Sequence, residues 1–172
     1  ADQLRALGRL GVVHGSFEVG AAAAILEVGD GEASDLVRAL VDRSLIAALP
    51  APHRERRFRL YESIRERALE RASDLGELEP ARAAHARHYV ALAERCERAF
   101  GTPEGPAALA MVGEELDNVL AAQAWLRGHD RALAARAGLA TFRIIHERAL
   151  HLAYAAVLER ALEDARAVSD PL

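Results

Sequence analysis

RFRLYESIRERALERA, residues 57–72, decides the fold, because its hydrophobic period changes partway through. The first four residues alternate, with Arg57 and Arg59 on one side and Phe58 and Leu60 on the other, as in a half-buried strand. From Tyr61 onward Ile64, Ala68, Leu69, Ala72 and Leu75 recur at helical spacing, and Gly76 follows as a stop signal. A basic strand therefore runs directly into an amphipathic helix. Just upstream, SLIAALP (44–50) is a short apolar run and PAPHRER (50–56) a loop, so residues 44–60 read as two strands and a wing.

Three helices are expected before the wing. Leu4, Leu7, Leu10 and Val13 share helical spacing between Gln3 and Val13, and Gly15-Ser16 breaks the pattern. Ser16 is a candidate N-cap for a second helix carrying Val19, Ala22, Ala23 and Leu26, which Gly29-Asp30-Gly31 would end. In ASDLVRALVDRSL (33–45), Ser34 is the expected cap and Leu36, Val37, Leu40 and Val41 form the apolar stripe. Its polar face holds Asp35, Arg38, Asp42 and Arg43. The order helix, helix, helix, strand, strand, helix is that of a winged helix-turn-helix domain over residues 1–75.

Residues 78–172 read as helical throughout, which makes the fold class mainly α. Pro80 suits the first turn of a helix running through Phe100, and GTPEGP (101–106) is a loop. One helix is expected through Leu109, Val112, Leu116, Val119, Leu120 and Leu126, ended by Gly128-His129-Asp130, with two more near 131–147 and 150–168. Leu133, Leu139, Phe142, Ile144 and Ile145 lie on more than one face of the first of these, the mark of a helix between neighbours. Paired helices of this length suggest helical hairpins of a tetratricopeptide-like α-solenoid.

Composition narrows the function. Hydrophobic residues make up 51% of the 172 and aromatics 5%, which favours closely packed helices over sheet. The single cysteine, Cys96, excludes an intrachain disulfide and points to a reducing, cytoplasmic setting. No apolar run is long enough to span a membrane, so no membrane partner is expected. All 22 basic residues are arginine, so a phosphate loop ending in Gly-Lys-Ser/Thr cannot lie in this segment. A net charge of −4 gives no global attraction to nucleic acid, and any such role needs a local patch.

The chemistry-bearing residues offer little catalysis. HERALH (146–151) resembles HExxH with one residue too many, and five residues turn a helix by about 500°, leaving the imidazoles about 140° apart. His85 and His88 share a face but have no third ligand at helical spacing. Cys96 falls on the stripe Tyr89, Leu92, Cys96 and Phe100, the place of a small buried hydrophobe rather than a nucleophile. Glu66 with Glu70 and Arg67 with Arg71 belong to a solvated face. No enzyme activity and no metal or cofactor is expected in this segment. The basic cluster Arg54, Arg56, Arg57 and Arg59 is the informative surface feature: on a wing it would meet DNA phosphates while Arg38 and Arg43 on the third helix reach the major groove. Asp35 and Asp42 oppose that reading, and an interdomain ion-pair surface, or simple solubility, is the preferred one.

LGRLGVVHGSFEVGAAAAIL, LVRALVDRSLI and RFRLYESIRERALERA, followed by ARAAHARHYVALAERCERAF and GEELDNVLAAQAWLRGHDRALAARAGLA, resemble the winged-helix and first helical-repeat region of STAND-class signal-transduction NTPases. The resemblance covers residues 4–165 and is nearest to bacterial regulators in which tetratricopeptide-type repeats follow the winged helix. It implies a preceding nucleotide-binding domain in the same chain, where ATP or ADP would sit, and further repeats that hold a protein or small-molecule effector. Relatives of that class carry a Met-His-Asp type triplet after the wing, whose histidine meets the ADP phosphate. The matching residues here are Leu60-Tyr61-Glu62, so a sensor at Tyr61 would have only a neutral hydroxyl. The resemblance thus implies a non-catalytic coupling segment, with a DNA-binding winged-helix fragment as the alternative.

Overall fold

The computed structural model of the chain describes residues 2–50, 56–147 and 151–169. They fall into two compact units, Ala1–His88 and Tyr89–Leu172. The first contains α1 (Asp2–Leu10), α2 (Val19–Leu26), α3 (Asp30–Asp42), β1 (Ile46–Leu49), β2 (Arg57–Leu60), α4 (Glu62–Asp74) and the beginning of α5 (Leu78–Ala99). The strands pair antiparallel, with Ile46 opposite Leu60 and Leu49 opposite Arg57. This order and pairing are consistent with a winged helix.

Period-two burial on β2 comes out as the sequence suggests, with Phe58 and Leu60 buried and Arg59 exposed. Phe17 adds a one-residue bridge to Phe58, the two residues exchanging backbone hydrogen bonds of 2.9 and 2.8 Å. Around this bridge Leu10, Phe17, Ile25, Val37, Leu40 and Ile46 are essentially excluded from solvent. Such burial is the main favourable term in holding the three helices under the wing.

α1 and α4 meet through small residues. A Cβ on Gly8 would stand 3.4 Å from that of Ala72, and one on Gly11 only 3.2 Å from that of Ala68. The buried face of α4 is accordingly just Ala68 and Ala72. At its end Gly76, with φ 69, closes a Schellman turn: Glu77 N–H donates to Ala72 O at 2.8 Å and Gly76 N–H to Ser73 O at 3.0 Å.

Several expected boundaries move. α1 stops at Leu10 rather than Val13, and Leu4 is 57% exposed instead of lying on the buried stripe. Ser16 does not cap α2, because the bridge holds Phe17 extended and places Glu18 in the cap position without a side-chain cap. α3 begins at Asp30 with Gly29 in the cap position, so Ser34 is interior to the helix. The connection is that short because Glu27 takes the left-handed conformation, φ 59, and reverses the chain at once. Residues 51–55, and with them Arg54, lie outside the described residues.

The second unit holds the rest of α5 and α6 (Gly105–Glu114), α7 (Leu116–Leu126), α8 (Arg131–Glu147) and α9 (His151–Ser169). The single helix expected through Leu109 and Leu126 is two, α6 and α7, because Glu115 turns inward. Its carboxylate is buried and accepts from Asn118 Nδ2 at 3.0 Å, while its N–H donates to Val112 O, three residues back. The four-residue ladder slips there and restarts. Tyr89, Leu92 and Cys96 are buried as the stripe suggests, together with Val112, Val119, Leu126 and Ile145. On α8, however, Leu139 and Phe142 are 59% and 48% exposed, so within this unit the helix is not covered on every face.

Candidate functional site

The first unit presents two surfaces that could meet a partner: the outer face of α3 and the two-stranded wing. On α3 the buried side is Ala33, Val37 and Leu40. Helical periodicity then turns Asp30, Glu32, Asp35, Arg38 and Asp42 to solvent. Arg38, the one cation within the helix, lies 3.3 Å from Asp35. The face that a groove-reading helix would lay against phosphates is therefore carboxylate-rich, and the first turn alone carries Asp30 and Glu32. Acids at a helix N-terminus favour the helix dipole, which accounts for their placement without a ligand. Toward nucleic acid they repel.

The arginines singled out from the sequence do not act as one patch. Arg56 and Arg59 are exposed at the wing, as a phosphate contact requires. Arg57 is used inside the fold: its Nε donates to Ser16 Oγ at 2.9 Å, Nη2 to Ser16 O at 2.9 Å, and Nη1 to Glu18 at 3.2 Å. Arg57 and Arg59 lie on the same face of β2, and position along the strand makes the difference: Arg57 ends the ladder, opposite Leu49, within reach of Ser16 and Glu18. Arg43 is exposed beyond the end of α3 and lines an open groove of about 470 Å³ with Asp2, Gln3, Leu4, Leu36, Leu40 and Leu45. Tyr61 is 50% exposed at the start of α4, where its carbonyl accepts from the N–H groups of Ile64 and Arg65.

A polar network that sequence reading missed joins four segments of this unit. Arg9 is 3% exposed, with Nε donating to Ile25 O at 2.9 Å, Nη2 to Glu27 at 2.7 Å and Nη1 to Glu77 at 2.9 Å. Glu77 also accepts from Arg5 Nε at 2.7 Å, and Glu27 from Arg87 at 3.2 Å. The hydrogen bond from Arg5 is the first cause holding the Glu77 carboxyl below its usual range; Arg9 adds to it and partial desolvation opposes it. Buried guanidinium groups are tolerated only when their donors are met, as here. The available sequence signal was Arg9 between Gly8 and Leu10, but its partners lie 16 to 68 residues away.

Among the described residues no group of three or more His, Cys, Asp and Glu side chains could hold a metal ion. His146 stacks on Phe142 at 5.9 Å between centroids, and residues 148–150 of HERALH lie outside the described residues. His85 is buried, with its ring 6.5 Å from that of His14. Cys96 is buried and burial pushes its thiol above the ordinary value, the opposite of an activated nucleophile. Among the described residues no helix is long and apolar enough to cross a membrane.

No family model and no solved structure matches the chain. Curated proteins do. It is 36% identical, over 132 aligned residues covering 70% of its length, to proteins of Mycobacterium bovis and Mycobacterium tuberculosis, each named "Putative HTH-type transcriptional regulator". The chain spans 14% of the length of these relatives. By sequence it is thus similar to one segment of large mycobacterial proteins named as helix-turn-helix regulators of transcription.

Proposed function

We propose that this chain is a non-catalytic regulatory and interaction segment of a larger signal-transduction ATPase or transcriptional regulator. Its winged helix would face protein rather than DNA, and residues 78–172 would form a tetratricopeptide-like region that receives an effector. The observation that carries this reading is the carboxylate-rich outer face of α3, whose single arginine pairs with Asp35. The names of the mycobacterial relatives support the regulatory context. ATP or ADP would be held by a preceding nucleotide-binding domain. Wing and core contacts would favour a closed state and an effector the open one, a shift of population between the two.

Direct DNA binding is the second reading, supported by the helix-turn-helix regulator names of the mycobacterial relatives and by the exposure of Arg56 and Arg59 on the wing. Fluorescence anisotropy with labelled duplex DNA across a salt series separates the two. The proposal expects no binding even at low salt. Binding that weakens steeply as salt rises, and is lost in Arg56→Ala/Arg59→Ala, would replace it with the second reading.

A further inference from the structure

We propose that the network Arg5, Glu77, Arg9, Glu27 and Arg87 is an ionic latch that holds the first three turns of α5 on the winged-helix unit and can release them while that unit stays folded. α5 begins directly after the Gly76 turn and passes from the first compact unit into the second, whose boundary falls between His88 and Tyr89. What fixes its start is therefore what couples the exit helix to the winged helix.

Apolar packing does little of that work. Between Glu77 and His88 the only large apolar side chain is Leu78, and it is half-buried. The buried residues of this stretch are Ala81, Ala84, His85 and Ala86. An alanine removes little area from water, and large buried side chains resume only at Tyr89 and Val90. By contrast, both ends of the stretch are pinned by charge. Glu77 sits at its start between Arg5 and Arg9, and Arg87 at its end reaches Glu27.

The two carboxylates share one buried guanidinium, so the pins are not independent. Arg9 donates to Glu27 and Glu77 through different nitrogens, and Glu27 is held in the left-handed conformation where α2 gives way to α3. A movement at the start of α3 thus bears on Glu27, then on Arg9 and Arg87, and through them on α5. Exposed members differ from the buried one in a useful way. The Arg87–Glu27 pair, 60% and 52% exposed at its side chains, is open to salt and competing charges, whereas Arg9 is not. The latch can loosen from its outer edge without stranding a buried charge.

Amide hydrogen exchange of the full chain tests this, comparing residues 77–88 with α1–α3. Arg87→Gln, an exposed change that leaves the partners of Arg9 in place, is expected to speed exchange of 77–88 by about two- to fivefold, with α1–α3 protected as before. Raising salt should do the same to the parent chain and less to Arg87→Gln. If protection falls equally over 77–88 and α1–α3, the network is only a part of the global core and the proposal is wrong. Unchanged exchange in Arg87→Gln at every salt concentration would overturn it too.

Discussion

Phe17 and Phe58 are joined twice, by a pair of backbone hydrogen bonds and by their rings, whose centroids stand 5.9 Å apart at an interplanar angle of 37°. Phe17 precedes α2 and Phe58 lies in the wing, so this contact ties the helical part of the unit to its sheet. Both rings are buried. Truncation of either leaves a cavity that the bridge prevents from collapsing. Phe58→Ala is expected to lower stability by roughly 3–5 kcal/mol, read from urea unfolding. A loss below about 1 kcal/mol would mean that the wing is not anchored through this pair.

Arg57 and Arg59 are two residues apart on one strand and should behave as opposites. Arg57→Ala removes donors to Ser16 and Glu18 and leaves the Ser16 carbonyl short of a partner, an expected cost of about 1–3 kcal/mol. Arg59→Ala should change stability by no more than about 0.5 kcal/mol. Thermal or urea denaturation of the two variants checks the contrast, and equal effects would contradict the hydrogen-bonding described.

Acid should loosen the Glu77 contacts. Its folded pKa is depressed, chiefly by the hydrogen bond from Arg5, so the stabilisation is complete above the unfolded value, about 4.3, and disappears as pH falls through the lower folded value. The urea midpoint of the parent chain should exceed that of Glu77→Gln near neutrality, and the two should converge as pH drops below about 4. A gap that stays constant across that range would assign the difference to something other than the carboxylate charge.

Gly138 permits the approach of α8 to α9. A Cβ there would stand 2.5 Å from Ala161 Cβ and 3.0 Å from Gln123 Nε2. Gly138→Ala is therefore expected to destabilise the chain by roughly 1–3 kcal/mol in spite of alanine's better helix propensity. Gly138→Ala with Ala161→Gly should recover part of the loss, measured as a double-mutant cycle.

Local chemistry made much of the architecture legible. The change of period at Tyr61, the alternation of RFRL and the stop at Gly76 specify a strand, a helix and its end from residues in direct contact along the chain. Burial of Phe58, Leu60, Ala68 and Ala72 follows from the same periods. Cys96 as a buried side chain was equally readable from its stripe.

What the sequence could not decide were the features that depend on partners distant along the chain. Ser16 and Ser34 are good caps by composition, yet the Phe17 bridge and the left-handed Glu27 shift both helix starts. Glu115 divides a continuous apolar stripe because its carboxylate turns inward to Asn118, a choice no periodicity registers. Among the arginines, composition alone gives Arg57, Arg59 and Arg9 the same charge. Tertiary structure makes one a clamp, leaves one in solvent and buries the third between two carboxylates. Hydrophobic period is written in neighbours, whereas the fate of a charge depends on which oxygens folding brings within 3 Å of it.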